Sequence, residues 1–173
     1  AHIIMSWLIN FQVLNLRQPR FADIRVRSAV ALAFDFDWLN QRVFYNRRAR
    51  TQSYFQNTDD LMAGEVPTPQ ELKIAQRLDQ TPALLAALRD PLVLPAETGS
   101  TAAGLRKNLV QAQRLLGEAG WTYEGGALRN AAGEAFVVTM LIPDRSSEIV
   151  LAPYARNLAR LGIELRYRLS DAS

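Results

Sequence analysis

Cysteine is absent from this chain of 173 residues. Disulfide frameworks, thiolate metal sites and cysteine nucleophiles are therefore excluded, although the redox compartment stays open because exported proteins also dispense with cysteine. Histidine is nearly absent: the only one is His2, beside the amino-terminal end. A histidine-built metal site or a Ser-His-Asp triad on a rigid scaffold is not expected, and neither a metal nor any other cofactor is. Long apolar runs are missing too. The most apolar stretch, residues 3–16, is broken by Ser6, Asn10, Gln12 and Asn15 and falls short of the ~20 residues that span a bilayer. It also lacks the basic leader and small-residue cleavage site of a signal peptide. There is no phosphate loop, since Gly125-Gly126 has no following lysine and lies between short strand patterns. Nor does one sign of charge dominate: 20 basic residues face 17 acidic ones, a net +3. That balance is only mildly basic, short of what nucleic-acid binding calls for.

What is present is an ordinary core-forming composition, 49% hydrophobic and 21% charged, which suits one domain over residues 1–173 and argues against a disordered chain. The apolar pattern then divides the chain. Residues 7–16 alternate with one slip and predict a strand, bulged near Val13 and Leu14 and closed by Pro19. Asp23 stands where a helix cap belongs, ahead of the stripe Val26, Ala29, Val30, Ala33 and Phe34. Asp35 or Asp37 can cap a second short helix carrying Trp38, Leu39, Val43 and Phe44. Residues 45–70 read as irregular, Pro69 opens a helix through Leu78, and a further short helix fits residues 82–88. Pro91, Pro95 and Gly99 mark a loop of a length that binds or covers something, and covering is the preferred reading.

The clearest helix runs over residues 102–119, with the stripe Leu105, Leu109, Ala112, Leu115, Leu116 and Ala119. Gly120 ends it, and Trp121 folds back onto its last turn. A hairpin about Gly125-Gly126 and a turn at residues 130–133 lead into a strand over residues 136–142. Ser146 or Ser147 can cap a helix reaching Leu161, with Pro153 expected to kink it unless it starts late. After Gly162, the alternation Ile163, Leu165, Tyr167, Leu169 is a last strand. Strand, helix, strand at this spacing is a βαβ unit with a parallel pair. The fold class is α/β, a mixed sheet with flanking helices.

Few residues point to chemistry. Arg47, Arg48 and Arg50 lie among Phe44, Tyr45, Tyr54 and Phe55, a mixture that can stack bases and neutralise phosphates, hold a carboxylate ligand, or simply form a solvated loop anchored by its aromatics. Asp35 and Asp37 read as caps, and the pair Asp59 and Asp60 as solvated. Asp144 ends a strand just before a helix, the edge where open α/β sheets collect ligands, although turn chemistry also explains an Asp after Pro143. An acid/base enzyme using Asp35 or Asp144 is an open alternative, as is a small basic nucleic-acid-associated domain.

Several segments, in order, resemble the larger lobe of the family 5 extracellular solute-binding proteins, the oligopeptide and dipeptide receptors of bacterial ABC importers. Residues 15–29, from Asn15-Leu16-Arg17 through Pro19-Arg20-Phe21 to Asp23-Ile24-Arg25-Val26-Arg27, are similar to the family's strand, proline-phenylalanine step and aspartate-capped helix. Ala33-Phe34-Asp35 matches the step to the next helix. Leu115-Leu116-Gly117-Glu118-Ala119-Gly120-Trp121 resembles a second signature, and Leu158 to Leu165 the helix-to-strand step late in the lobe. Residues 33–40 with Ser53-Tyr54-Phe55 look most like the branch associated with microcin C and related peptides.

The resemblance implies a single lobe of a type II-like periplasmic binding protein, not an enzyme. Such a lobe closes with an amino-terminal lobe on a peptide or peptide-like ligand and delivers it to a membrane permease, with no nucleic acid involved. It also implies an exported, periplasmic chain. The present chain is expected to be a piece of a longer protein, without that protein's leader, amino-terminal lobe and returning carboxyl-terminal segment. Tyr45, Arg50, Ser53, Tyr54 and Phe55, with Asp144 behind them, are the residues expected at the ligand: arginine for a carboxylate, aromatics for side chains, Asp144 for an amine.

Overall fold

The computed structural model describes residues 13–51, 67–78 and 94–170. The chain divides into two units, Ala1–Ile9 with Arg50–Leu94 and Asn10–Ala49 with Pro95–Ser173.

The first unit has one described helix, Pro69–Leu78, with the bounds that Pro69 and the apolar spacing predict. Its start is a capping box: Thr68 Oγ1 accepts from the Glu71 N–H at 3.3 Å, and Glu71 Oε2 accepts from the Thr68 N–H at 2.6 Å. Each residue thereby satisfies an orphan donor of the other.

The second unit holds the remaining described elements. In chain order we label its helices α1 (Ile24–Leu32), α2 (Phe36–Arg42), α4 (Ala102–Glu118) and α5 (Glu148–Arg160), the helix of the first unit being α3. Its strands are β1 (Thr122–Glu124), β2 (Ala127–Arg129), β3 (Val137–Ile142) and β4 (Glu164–Leu169). β1 and β2 form an antiparallel hairpin over Gly125 and Gly126, both at positive φ as a two-residue turn requires. β3 and β4 pair in parallel, Val137 opposite Glu164 through Ile142 opposite Leu169, with α5 as the crossover. The expected βαβ unit is therefore present, and parallel and antiparallel pairing occur side by side as two short sheets. They are stitched together where the Phe136 N–H donates to Leu128 O and the Leu128 N–H to Gly162 O, both at 2.8 Å.

The core lies where α1, α4, α5 and the β3–β4 pair meet. Val26, Ala29 and Val30 of α1, Leu109, Ala112 and Leu116 of α4, and Leu151, Tyr154 and Leu158 of α5 are all buried, with Phe136 and Ile163 beside them. Alanines at positions 29 and 112, both with no exposed surface, leave room for helices to approach closely. Trp121 returns over the end of α4 as expected: its N–H donates to Leu116 O at 2.9 Å, and its ring lies 4.4 Å from that of Phe136.

Helix α1 is finished by its neighbour. The last carbonyls of a helix have no partner within it, and two of these are met from α5: Tyr154 Oη donates to Val30 O at 3.1 Å and Asn157 Nδ2 to Ala33 O at 2.9 Å. The two side chains are three residues apart and so share one face.

Four sequence expectations are met otherwise by the structure or fall outside the described residues. Of the strand predicted over residues 7–16, residues 7–12 lie outside them, and residues 13–16 are not strand. Asn15 turns the chain there instead, its carbonyl oxygen accepting from the Gln18 N–H and its Oδ1 from the Arg17 N–H. The cap ahead of α5 is Asp144, not a serine: Asp144 accepts from the Ser146 N–H at 2.7 Å and opens a 3-10 turn, Arg145–Ser147, while Ser147 makes no capping bond. Pro153 is tolerated inside α5, where the hydrogen bond it cannot make falls on the carbonyl of Ile149, a 64%-exposed residue of the first turn. The helix expected over residues 82–88 lies outside the described residues. Among those residues, no helix is long and apolar enough to cross a membrane.

Burial pushes the Tyr154 phenol far above its ordinary 10.0. Because the folded value is raised, the stabilisation is complete below pH 10 and is lost as pH rises beyond it. Tyr154→Phe, which strands the Val30 carbonyl, should cost about 1–2 kcal/mol at pH 7. In urea unfolding followed from pH 7 to 11, the substitution should also flatten the alkaline decline; an equally steep decline would remove Tyr154 as its source.

Candidate functional site

Helix α2 is short, and little of its stability is its own. It is fixed at its start by two carboxylates. Asp35, buried at 6% exposure, caps the helix by accepting from the Trp38 N–H at 3.1 Å. The same Oδ1 accepts from the buried Thr98 Oγ1 at 2.5 Å, across 63 residues of chain. Asp37 sits in the first turn, where a negative charge is favoured, and its Oδ2 accepts from the N–H groups of Thr98 at 2.6 Å and Gly99 at 2.8 Å. Charge-assisted bonds of this kind are among the stronger ones. Thr98 belongs to the loop read from its prolines and glycine as a covering segment; among the described residues of that loop, Ala96 O accepts from Asn108 Nδ2 of α4 at 2.8 Å. Gly104 lets the loop close, because a Cβ there would stand 2.1 Å from Thr98 O.

At its other end α2 runs into a sharp turn that carries the first candidate residue. Tyr45 and Asn46 are both left-handed, at φ 52° and 58°. That conformation is tolerable for asparagine and strained for a tyrosine, by about 1 kcal/mol. Asn40 holds the turn. Its backbone oxygen accepts from the Asn46 N–H at 2.8 Å. Its side chain grips both polar groups of Arg48, Nδ2 donating to the carbonyl at 2.8 Å and Oδ1 accepting from the N–H at 3.0 Å. The Arg48 guanidinium lies 5.6 Å from the centre of the Phe44 ring, within cation–π range. Tyr45 is left 76% exposed at the tip.

The second candidate, Asp144, is exposed at the carboxyl end of β3 and is occupied with its own turn. Ser146 donates to it from both its N–H and its hydroxyl, and these bonds hold the carboxyl below its ordinary 3.8. It is thus a charged acceptor at neutral pH, and the turn loosens only as the pH falls through that lowered value. Arg50 is half-buried and opens the first unit. Ser53, Tyr54 and Phe55 lie outside the described residues. Tyr45 and Asp144 each sit in a turn fixed by its own neighbours, as separate features of the second unit.

An open groove of about 450 Å³ was not anticipated from the sequence. It is lined by Arg20, Asp23, Trp121, Asn130 and Glu134 among others. Three distant segments build it, so no local pattern announces it. Its polar side chains are engaged in the fold: Arg20 Nη1 donates to Val137 O, Asp23 pairs with Arg25 at 2.6 Å, and Asn130 Nδ2 donates to Glu134 at 2.8 Å. The groove is a packing seam more than a ligand site.

The second unit is thus an α/β unit that carries exposed, internally braced turns and an acid at a strand end. The family described as "Bacterial extracellular solute-binding proteins, family 5 Middle" matches residues 5–173. The chain belongs to this family. It is 37% identical over 162 residues to YejA of Escherichia coli K12, covering 92% of this chain and 26% of that protein. It is 35% identical over 165 residues to a protein of Agrobacterium fabrum named "Probable peptide-binding protein YejA", covering 92% of this chain and 25% of that one. The chain thus spans about a quarter of the length of the curated relatives it matches. Among solved structures, the oligopeptide-binding protein AppA of Bacillus subtilis, determined with a nonapeptide, matches with a TM-score of 0.54 at 19% identity, over 90% of this chain and 25% of that one. That likeness concerns the fold, and it agrees with a single α/β lobe of the periplasmic-binding-protein kind.

Thr98→Val removes the hydroxyl that bonds Asp35 in a buried setting, and should cost about 1–3 kcal/mol in urea unfolding. Thr98→Ser keeps the hydroxyl and should cost less than about 1 kcal/mol. A loss in Thr98→Ser as large as or larger than that expected for Thr98→Val, with Thr98→Val nearly neutral, would show that the methyl group, not the tie to Asp35, matters.

Proposed function

We propose that this chain is part of the substrate-binding component of an ABC importer, one that captures oligopeptides or peptide-like compounds outside the cytoplasmic membrane and passes them to a permease. The observation that carries the reading is the family match over residues 5–173, joined to a relative named for peptide binding that aligns over 92% of the chain. On this reading residues 1–173 act as one lobe, and a second lobe from the rest of a longer protein completes the site. The role is capture and release, without catalysis, in the periplasm. The finer likeness of residues 33–40 to the microcin C branch points to modified peptides as one class of cargo.

Binding at such a lobe uses side-chain pockets, hydrogen bonds to peptide backbone and charge pairing at the peptide ends. Tyr45 supplies an exposed aromatic surface on a braced turn, and Asp144 a carboxylate suited to an amine. Arg50, Ser53, Tyr54 and Phe55 complete the proposed contact set, the arginine serving a carboxylate.

Titration calorimetry of the chain against an equimolar pool of tri- to pentapeptides, at low and moderate salt, tests the proposal. Saturable heat that survives salt is expected, and Tyr45→Ala should weaken binding about tenfold, as loss of an aromatic anchor does. Heat that collapses steeply with salt, appearing with oligonucleotides and not with peptides, would instead favour the basic cluster at Arg47, Arg48 and Arg50 as a nucleic-acid surface.

A further inference from the structure

We infer that Asn40 is the positioning residue for ligand contact at Tyr45, an inference that rests on the peptide-binding reading above. Tyr45 alone is poorly suited to be a rigid contact. It is 76% exposed and left-handed, a conformation that persists only where the surroundings over-determine it. The Phe44 N–H donates to Leu39 O at 3.1 Å and the Arg47 N–H to Phe44 O at 3.0 Å, and the rest of the frame comes from Asn40. Asn40 supplies three of the hydrogen bonds across the turn, one from its backbone oxygen to the Asn46 N–H and two from its side-chain amide to Arg48.

The side-chain pair is the decisive one. A primary amide that donates and accepts against a single residue's peptide groups imitates a rung of a β-ladder, and of the side chains only asparagine and glutamine carry the donor and acceptor to do so. Asparagine reaches from the last turn of α2 without spending the extra rotatable bond of glutamine. α2 is itself anchored to Thr98 and Gly99 through Asp35 and Asp37, so the clasp transmits a fixed frame to the turn. Asn40 thereby lowers the ordering cost of binding at Tyr45, which is how preorganisation raises affinity. Asn40 itself is half-buried, with both polar groups of its side chain already used on Arg48; it acts through Tyr45.

A double-mutant cycle on the chain, read by calorimetry with the same tri- to pentapeptide pool, tests this. Asn40→Ala and Tyr45→Ala are each expected to weaken binding, Asn40→Ala by roughly fivefold, and the double variant should bind no worse than Tyr45→Ala, the signature of coupled residues. Tyr154→Phe serves as a destabilised variant remote from the turn and should bind like the wild type. Hydrogen exchange at the Arg48 amide should speed up in Asn40→Ala whether or not peptide is present. Additive losses in the cycle, or full affinity in Asn40→Ala alongside a weakened Tyr45→Ala, overturn the inference. So does unchanged exchange at Arg48. Absence of heat from the wild-type chain means that recognition needs the second lobe and overturns Tyr45 as a contact sufficient in this chain, and the exchange measurement then decides the clasp independently.

Discussion

The tie between Asp35 and Thr98 is the constraint on which the second unit depends. Its two ends are 63 residues apart, and an excursion into the other unit intervenes between them. Closing a loop of that length costs roughly 3–4 kcal/mol of chain entropy, so the closing contact must be specific. It is a buried carboxylate that accepts from a buried hydroxyl, while the neighbouring Asp37 takes two backbone N–H groups of the same loop. One patch of acid thus caps α2, fixes residues 98 and 99 and sets the start of α4 through Gly104. Once α4 is placed, Leu109, Ala112 and Leu116 meet Val26, Ala29 and Val30, and that apolar contact offsets the closure.

The same economy governs the carboxyl-terminal half. Tyr154 and Asn157 of α5 bury polar groups in the core, which costs free energy unless each finds a partner. The partners are α1 carbonyls that have no helical bond of their own. One arrangement answers two unsatisfied groups and fixes the rotation of α5 against α1. The crossover helix is thereby locked on one face of the β3–β4 pair, and Asp144 is brought to the strand end, where a charged acceptor can be offered outward.

Much of this was legible in the sequence because the signals were local. Asp23, the stripe Val26 to Ala33, Pro69, Gly120 with Trp121, and the Gly125-Gly126 hairpin each act within a turn or two of chain, and the helix over residues 69–78 has the predicted bounds. The βαβ unit followed from period and spacing alone. What escaped was non-local or depended on side-chain competition. Nothing near Thr98 says that its hydroxyl will find Asp35. Asp144 serves as the cap in place of the serines because a carboxylate is the stronger acceptor for the Ser146 N–H. At residues 13–16 the expected strand fails where its alternation slips, at Val13 and Leu14, and Asn15 turns its oxygens on the backbone, the habit that makes asparagine a turn residue.

The candidate site was legible in a different sense. The aromatic and basic composition of residues 44–55 marked the segment but said nothing of its shape, and for Tyr45 the shape carries the argument. A solvated loop would leave an exposed tyrosine in a relaxed conformation, free to sample rotamers. Here the residue is strained, exposed and braced from beneath by Asn40. Strain of that kind is removed by selection unless something is gained, since a relaxed turn would be more stable by about the same 1 kcal/mol. Under the proposal that Tyr45 meets a peptide, the gain is a contact surface that is ready before the ligand arrives, so that binding energy would go into closing on the peptide and not into ordering the loop that meets it.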